Sequence, residues 1–179
     1  MLSQNNNYRR MKSSEWLKNI FSVAYYLMII GWILLFGFLL YAIFISPGDI
    51  LEILHDAEEF KIKSKNALYS SLTYELLSSA VWIYILYLFK NLMKDLISGP
   101  LFTKLQIASF KLIGQLIILI TIVDAISIFV FKVIFKGRME LNFDLFNFWF
   151  VIGIGLFLIF LSQIFNQARV MKEENELTV

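Results

Sequence analysis

The chain has 179 residues, of which 59% are hydrophobic and 17% are charged, and 18 are Phe. Soluble domains carry about 25% charged residues, so this composition is typical of a membrane protein. The net charge of +2 and the lack of a dense basic face with interleaved aromatic residues argue against direct nucleic-acid binding. With no cysteine and a single histidine, the sequence predicts no metal site, and we expect no cofactor.

The first apolar run extends from about residue 20 to 45 and contains no charged residue. About 26 residues at ~1.5 Å each exceed the ~30 Å thickness of the hydrocarbon core, so the run predicts a transmembrane helix. It is longer than the core of a signal peptide, and no small-x-small cleavage pattern follows it, so we expect a retained anchor. Residues 1–19 are polar and contain Arg9, Arg10 and Lys12, which predicts a cytoplasmic N-terminal segment.

The turn residues from Ser46 to Asp49 end this helix, and acidic residues then mix with apolar ones as far as Phe60. This pattern favours a short amphipathic helix on the outer surface, with a solvated loop as the alternative. We expect His55, which lies among these acidic residues, to be a surface histidine rather than a pH sensor or a metal contact.

Three further apolar runs predict transmembrane helices at about residues 72–89, 107–131 and 145–165. Between the second and third runs, Pro100 lacks a backbone N–H and biases Gly99 away from the helical region, so the second helix should stop near Ser98. A second outer loop follows Phe131, and residues 166–179 form an acidic tail. The sequence therefore predicts an all-α fold, a bundle of four transmembrane helices over residues 20–165.

The distribution of basic residues sets the expected orientation. With the N-terminus inside, ten of the 16 Lys and Arg residues fall on the cytoplasmic side and six fall outside. Because cytoplasmic segments carry the excess of Lys and Arg, we expect both termini to be cytoplasmic in a multi-pass protein of the cell membrane.

Two carboxylates lie within or beside the predicted spans. Asp124 is about seven residues from the outer end of its helix, or roughly 10 Å deep at 1.5 Å per residue. Glu75 lies near the outer end of its helix, so both carboxylates could share one cavity in the outer half of the bundle. An ionised carboxylate at this depth is costly unless it is paired. We therefore expect Asp124 to be protonated or hydrogen-bonded to hydroxyls, and Thr121 and Ser127 lie three residues away on its own helical face.

This candidate intramembrane site has two interpretations. It is either a polar clamp that fixes helix packing, or a proton or ligand site that faces the outer leaflet. The chain has no P-loop, no G-x-G-x-x-G, no H-E-x-x-H and no G-x-S-x-G motif. We therefore predict no catalytic residues and no enzymatic activity.

Two stretches at the expected cytoplasmic face carry a family resemblance: residues 96–103 read LISGPLFT, and residues 173–179 read EENELTV. They resemble a family of small bacterial four-helix membrane proteins classed as a domain of unknown function, whose connector reads Gly, a spacer, then Pro-Phe-Ser/Thr, and whose chain closes with Glu-Leu-Thr-Val. Here Leu101 is inserted between Pro100 and Phe102. Members are often encoded beside a helix-turn-helix regulator, so the resemblance implies a regulatory partnership, and it supplies no catalytic residues.

Both stretches offer a candidate surface for a cytoplasmic partner. The residues concerned are Gly99, Pro100, Phe102, Thr103, Glu173, Glu174 and Glu176. Phe102 could dock on the membrane surface, and the glutamates could form an intramolecular latch with the connector lysines. The alternative is that a regulator reads this surface, with a rearrangement of the bundle as the signal.

Three hypotheses for function follow. The first is a non-enzymatic membrane protein that regulates or sequesters a cytoplasmic transcription regulator. The second is an immunity protein against a membrane-active peptide. The third is a small transporter or channel subunit that uses Asp124 and Glu75, and it would need a homo-oligomer because four helices enclose little room for a solute. The expected partners are therefore the lipid bilayer, a helix-turn-helix regulator and further copies of the chain.

Overall fold

The computed structural model describes residues 2–44, 65–131, 133–134 and 145–177. These contain four α-helices: α1 (Leu2–Phe44), α2 (Lys65–Ser98), α3 (Lys104–Phe131) and α4 (Leu145–Leu177). Each helix includes a stretch that is long and apolar enough to cross a membrane, and no strand occurs among the described residues. The predicted all-α fold with four transmembrane helices is confirmed.

Two of the sequence-based predictions lie outside the described residues. These are the turn from Ser46 to Asp49 and the amphipathic segment around His55. Most of the predicted second outer loop, between Phe131 and Leu145, also lies outside them.

The helices extend well beyond the apolar runs from which they were predicted. The predicted second run ends at 89, whereas α2 continues to Ser98, directly before the Gly99-Pro100 break. The fourth run ends at 165, whereas α4 continues to Leu177. Lys, Arg and Glu are good helix formers, so a helix does not stop where it leaves the apolar region. We call residues 166–177 the helical tail.

Each helix packs mainly against its neighbours in sequence: α1 against α2, α2 against α3, and α3 against α4. The α3–α4 contact is the most extensive of the three, and the α2–α3 contact is the least extensive. The buried core combines two residues of α2, four of α3 and one of α4: Ile85, Leu92, Phe110, Ile113, Ile117, Ile120 and Leu158. Only 6% of the apolar stretch of α1 is buried, so most of its surface is left for lipid.

The backbones of α3 and α4 meet at two glycines. A Cβ atom on Gly114 would lie 2.5 Å from the carbonyl oxygen of Gly155, and a Cβ on Gly155 would lie 2.6 Å from Cγ1 of Ile118. No side chain fits at either position without a shift of the helices. By contrast, a Cβ on Gly153 would meet nothing within 4 Å. Small residues let transmembrane helices approach closely, and these two bring α3 and α4 together as one unit.

Candidate functional site

Asp124 of α3 is held by two hydroxyl groups of α2. Its Oδ1 atom accepts a hydrogen bond from the hydroxyl of Tyr74 and a second one, of 2.8 Å, from Oγ of Ser78. Tyr74 and Ser78 are four residues apart, which places them on the same face of α2. We call these three residues the Asp124 latch, because they join α2 to α3 across the least extensive helix contact.

The described surroundings of the latch include an aromatic ring and a further hydroxyl group. The ring of Tyr74 packs edge-on against Phe131, with 5.7 Å between the ring centroids, and Ser127 lies within hydrogen-bonding reach of the Tyr74 hydroxyl. No basic side chain of the described residues forms an ion pair with Asp124. Among the described residues, the carboxyl group is therefore stabilised by hydroxyl donors, as expected for a polar group inside a transmembrane bundle.

The structure brings together some of the residues predicted for this site and separates others. Asp124 and Ser127 both lie against Tyr74. Glu75 is exposed and forms no hydrogen bond with Asp124. The hydroxyl of Thr121 donates to the carbonyl oxygen of Ile117 at 2.7 Å, so it is satisfied within its own helix. The hydroxyl partners of Asp124 come from the neighbouring helix rather than from its own.

Sequence reasoning missed Tyr74, although a signal was present. A hydroxyl pair at positions i and i+4, Tyr74 and Ser78, occurs in the second apolar run, where such a pair forms one polar stripe on a helix. Tyr74 also contributes to an open groove of about 500 Å³ on α2, lined further by Asn66, Tyr69, Ser70, Thr73 and Leu77. The groove therefore leads to one side of the latch.

The connector between α2 and α3 is fixed by a buried glutamine. Gln106 and Thr103 form a reciprocal capping box: the N–H of Gln106 donates to Oγ1 of Thr103 at 3.2 Å, and the N–H of Thr103 donates to Oε1 of Gln106 at 3.3 Å. The Nε2 atom of Gln106 also donates to the carbonyl oxygens of Pro100, at 3.0 Å, and Asp95, at 3.3 Å. Gln106, with 0% exposure, thus ties the end of α2 to the start of α3. The Thr-x-x-Gln motif is its sequence signal.

The connector also docks on α4. Phe102 has a φ of 65°, in the left-handed region, and its ring packs on Phe165 with 5.1 Å between centroids. Phe165 in turn contacts Phe110 of α3, at 5.0 Å. The sequence allowed Phe102 to dock on the membrane surface, but it is half-buried against α4. Gly99 and Pro100 remain exposed.

The helical tail presents its carboxylates to solvent. Glu173, Glu174 and Glu176 are all exposed. Glu173 pairs with Arg169 at 3.4 Å, and Glu176 pairs with Lys172 at 3.8 Å, each along α4 itself. Lys172 and Glu176 are both exposed, and an exposed pair of this kind contributes only about 0.3–0.5 kcal/mol, so a stronger partner can replace it. The side chain of Arg169 is only 22% exposed. The tail begins directly after Phe165 and is therefore joined to the connector through that ring.

Four long apolar helices with a hydroxyl-bound carboxylate between them define a multi-pass membrane protein. The family described as "Protein of unknown function (DUF2975)" matches residues 52–179, and the chain belongs to this family. The match includes the latch, the connector and the helical tail, and α1 precedes it. No curated protein and no solved structure matches the chain.

Proposed function

We propose that this protein is a non-enzymatic membrane protein that captures a regulator at the cytoplasmic face of the cell membrane, with the helical tail as the contact. The observation that carries the proposal is the unbroken course of α4, which runs from within the apolar bundle to Leu177. Its tail is exposed, and its base is anchored by the contact of Phe165 with Phe102. Any movement of α4 in the bundle would be transmitted to the tail.

The packing of the helices supports a way of producing such a movement. The backbones of α3 and α4 meet at Gly114 and Gly155 and these two helices share the most extensive contact, whereas α2 and α3 share the least extensive one. A signal that changes the Asp124 latch would shift this pair against α1 and α2. Packed helices respond to such a change by moving between discrete arrangements. A ligand that binds one arrangement more tightly than another increases the population of the first.

The charge of the tail supports a basic partner. Residues 166–176 contain three exposed glutamates and only two basic residues, Arg169 and Lys172. DNA-binding regulators carry basic surfaces that neutralise phosphates. The helix-turn-helix regulator implied by the family resemblance would therefore fit this surface, and the tail would compete with DNA for the regulator.

The test is a crosslinking pull-down from native membranes, with the full chain compared with a chain truncated after Met171. We expect a DNA-binding regulator to be recovered with the full chain alone. The variant with Glu173, Glu174 and Glu176 all changed to Gln keeps the tail's length and should also lose the partner. Exposed Gln163, changed to Glu, serves as a control that alters charge elsewhere on α4. Equal recovery by the full and truncated chains would refute the assignment of the tail.

A second candidate function is favoured by the Asp124 latch itself. A carboxyl group in a transmembrane bundle, bound only by hydroxyls among the described residues, is also the arrangement expected of a proton-carrying site in a small transporter subunit. Proton-coupled flux in vesicles that is lost in Asp124→Asn, with tail capture intact, would favour this function. If Asp124→Asn leaves flux unchanged, the candidate fails.

A further inference from the structure

Aromatic and basic side chains meet where α1 packs on α2, near the connector end of the bundle. Phe21 stacks on Phe89 with 5.2 Å between ring centroids, and the ring centroids of Tyr25 and Tyr87 are 6.0 Å apart. Beside them, the ammonium group of Lys90 lies 4.9 Å from the ring centroid of Tyr25 and 4.6 Å from that of Tyr26. We call Lys90, Tyr25, Tyr26 and Tyr87 the Lys90 seam.

Lys90 lies within the apolar stretch of α2, which ends at Ile97. Side chains on a helix tilt towards its N-terminus, and the N-terminus of α2 is at the opposite end of the bundle. The ammonium group is consequently level with Tyr25 and Tyr26 of α1. Tyr25 and Tyr26 belong to the apolar stretch of α1, Lys18–Tyr41. A lysine near a helix end ordinarily extends to water, so this conformation needs a compensating partner.

The protein itself supplies only part of that compensation. Nζ of Lys90 donates to the hydroxyl of Tyr26 at 3.3 Å, and the two tyrosine rings attract the cation through their faces. No carboxylate of the described residues forms an ion pair with Lys90. A cation within an apolar transmembrane stretch is costly without a counter-charge. The geometry therefore leaves the ammonium group matched in shape and hydrogen bonding but not in charge.

The hydroxyl of Tyr26 offers a second contact to an anion. It accepts the hydrogen bond from Lys90, so its own proton is free to be donated. Tyr26 is 55% exposed, which makes this donor accessible from the bilayer. Further along α1, Leu27, Ile30 and Leu34 are exposed apolar residues that an acyl chain would contact. An anionic head with an apolar tail matches this surface.

We propose that the Lys90 seam is a binding site for an anionic phospholipid. The headgroup phosphate contacts the ammonium of Lys90 and accepts the proton of the Tyr26 hydroxyl, while an acyl chain lies along α1. Basic pockets between transmembrane helices are known to select such headgroups. The seam lies outside the Asp124 latch and the helical tail, so the proposal is independent of the function proposed above.

The test is native mass spectrometry of the full chain released from micelles that contain equal amounts of phosphatidylglycerol and phosphatidylcholine. We expect the protein to retain phosphatidylglycerol in preference, and Lys90→Gln to reduce that retention about fivefold, as one lost basic contact implies. Lys90→Arg should retain the lipid because it keeps the charge. Lys111→Gln, which removes an exposed lysine of α3, is the matched control and should have no effect.

Thermal unfolding of each variant separates loss of the site from loss of the fold. A Lys90→Gln protein that melts like the original and still retains phosphatidylglycerol overturns the proposal. Equal retention of the two lipids by the original protein does so as well. Displacement of the bound lipid by millimolar inorganic phosphate would assign the seam to a free anion instead of a lipid.

Discussion

Replacing Tyr74 by Phe removes the hydroxyl that donates to Asp124 and keeps the ring that packs against Phe131. The substitution changes no volume in the bundle, so its effect reports the hydrogen bond. Ser78 remains as a donor to the same oxygen at 2.8 Å, so Asp124 keeps one hydroxyl partner. We expect the variant to fold with the same helix content and to lose stability at the α2–α3 contact.

The size of this loss follows from the chemistry of the acceptor. Hydrogen bonds between neutral groups of transmembrane helices average about 0.6 kcal/mol by double-mutant cycles, with a maximum near 1.7. Bonds to charged groups contribute about 1.5–3 kcal/mol in soluble proteins. Because Asp124 is a carboxyl group with only hydroxyl donors among the described residues, the coupling between Tyr74 and Asp124 should lie near the upper end of the membrane range, at about 1–2 kcal/mol.

The assay is a double-mutant cycle of Tyr74→Phe and Asp124→Leu, which removes the acceptor, with the free energy of unfolding measured in mixed micelles. Thr121→Val is the control, because the hydroxyl of Thr121 donates within α3 and its loss should not couple to Tyr74. A coupling energy below about 0.3 kcal/mol, within the error of additivity for independent sites, would show that the latch does not hold α2 to α3.

Three further predictions concern packing, the connector and orientation. Gly155→Ala should destabilise the protein by about 1–3 kcal/mol, because its Cβ would lie 2.6 Å from Cγ1 of Ile118. Gly153→Ala is the control, and since its Cβ would lie in open space, it should change the unfolding free energy by less than about 0.5 kcal/mol. Equal effects of the two substitutions would contradict the close contact of α3 and α4 at Gly155. Gln106→Ala should lower the melting temperature through a loss of about 0.5–2 kcal/mol, since it removes the capping-box bond to Thr103 and the two hydrogen bonds from Nε2 to the carbonyl oxygens of Asp95 and Pro100. An unchanged melting temperature would show that these bonds do not hold the connector. Since the chain has no cysteine, a single cysteine at Glu174 should react with an impermeant maleimide only after the cell membrane is opened; labelling of intact cells would reverse the expected orientation.

The fold could be predicted from the sequence because each helix contains a long apolar run. The Gly99-Pro100 pair likewise places the end of α2, which stops at Ser98. The far end of α4 was not predictable in the same way. Apolarity marks where a helix lies in the bilayer but not where the helix ends, and the helical tail continues on residues with high helix propensity. The predicted acidic tail is therefore a helix as far as Leu177.

The candidate site was predictable only in part. A lone carboxylate in an apolar run identifies Asp124 from sequence, because its cost there demands a compensating contact. The choice of donor depends on how α2 is rotated against α3, which no local spacing determines. Thr121 was expected to bond Asp124 because it lies three residues away, yet its hydroxyl donates to the carbonyl oxygen of Ile117 in its own helix. Tyr74 has the longer side chain and reaches Asp124 from the adjacent helix.

The positions of the latch and the connector together define how the bundle can move. At one end, buried Gln106 binds the last turn of α2 and the start of α3 through neutral hydrogen bonds, which no ordinary signal removes. Towards the other end, the same two helices are joined by a carboxyl group that a proton or a cation would alter. A change at Asp124 would therefore pivot α3 about the Gln106 connector, and α4 would follow because its backbone touches that of α3 at Gly114 and Gly155. The helical tail extends beyond the Gln106 connector, so such a rotation would displace the tail.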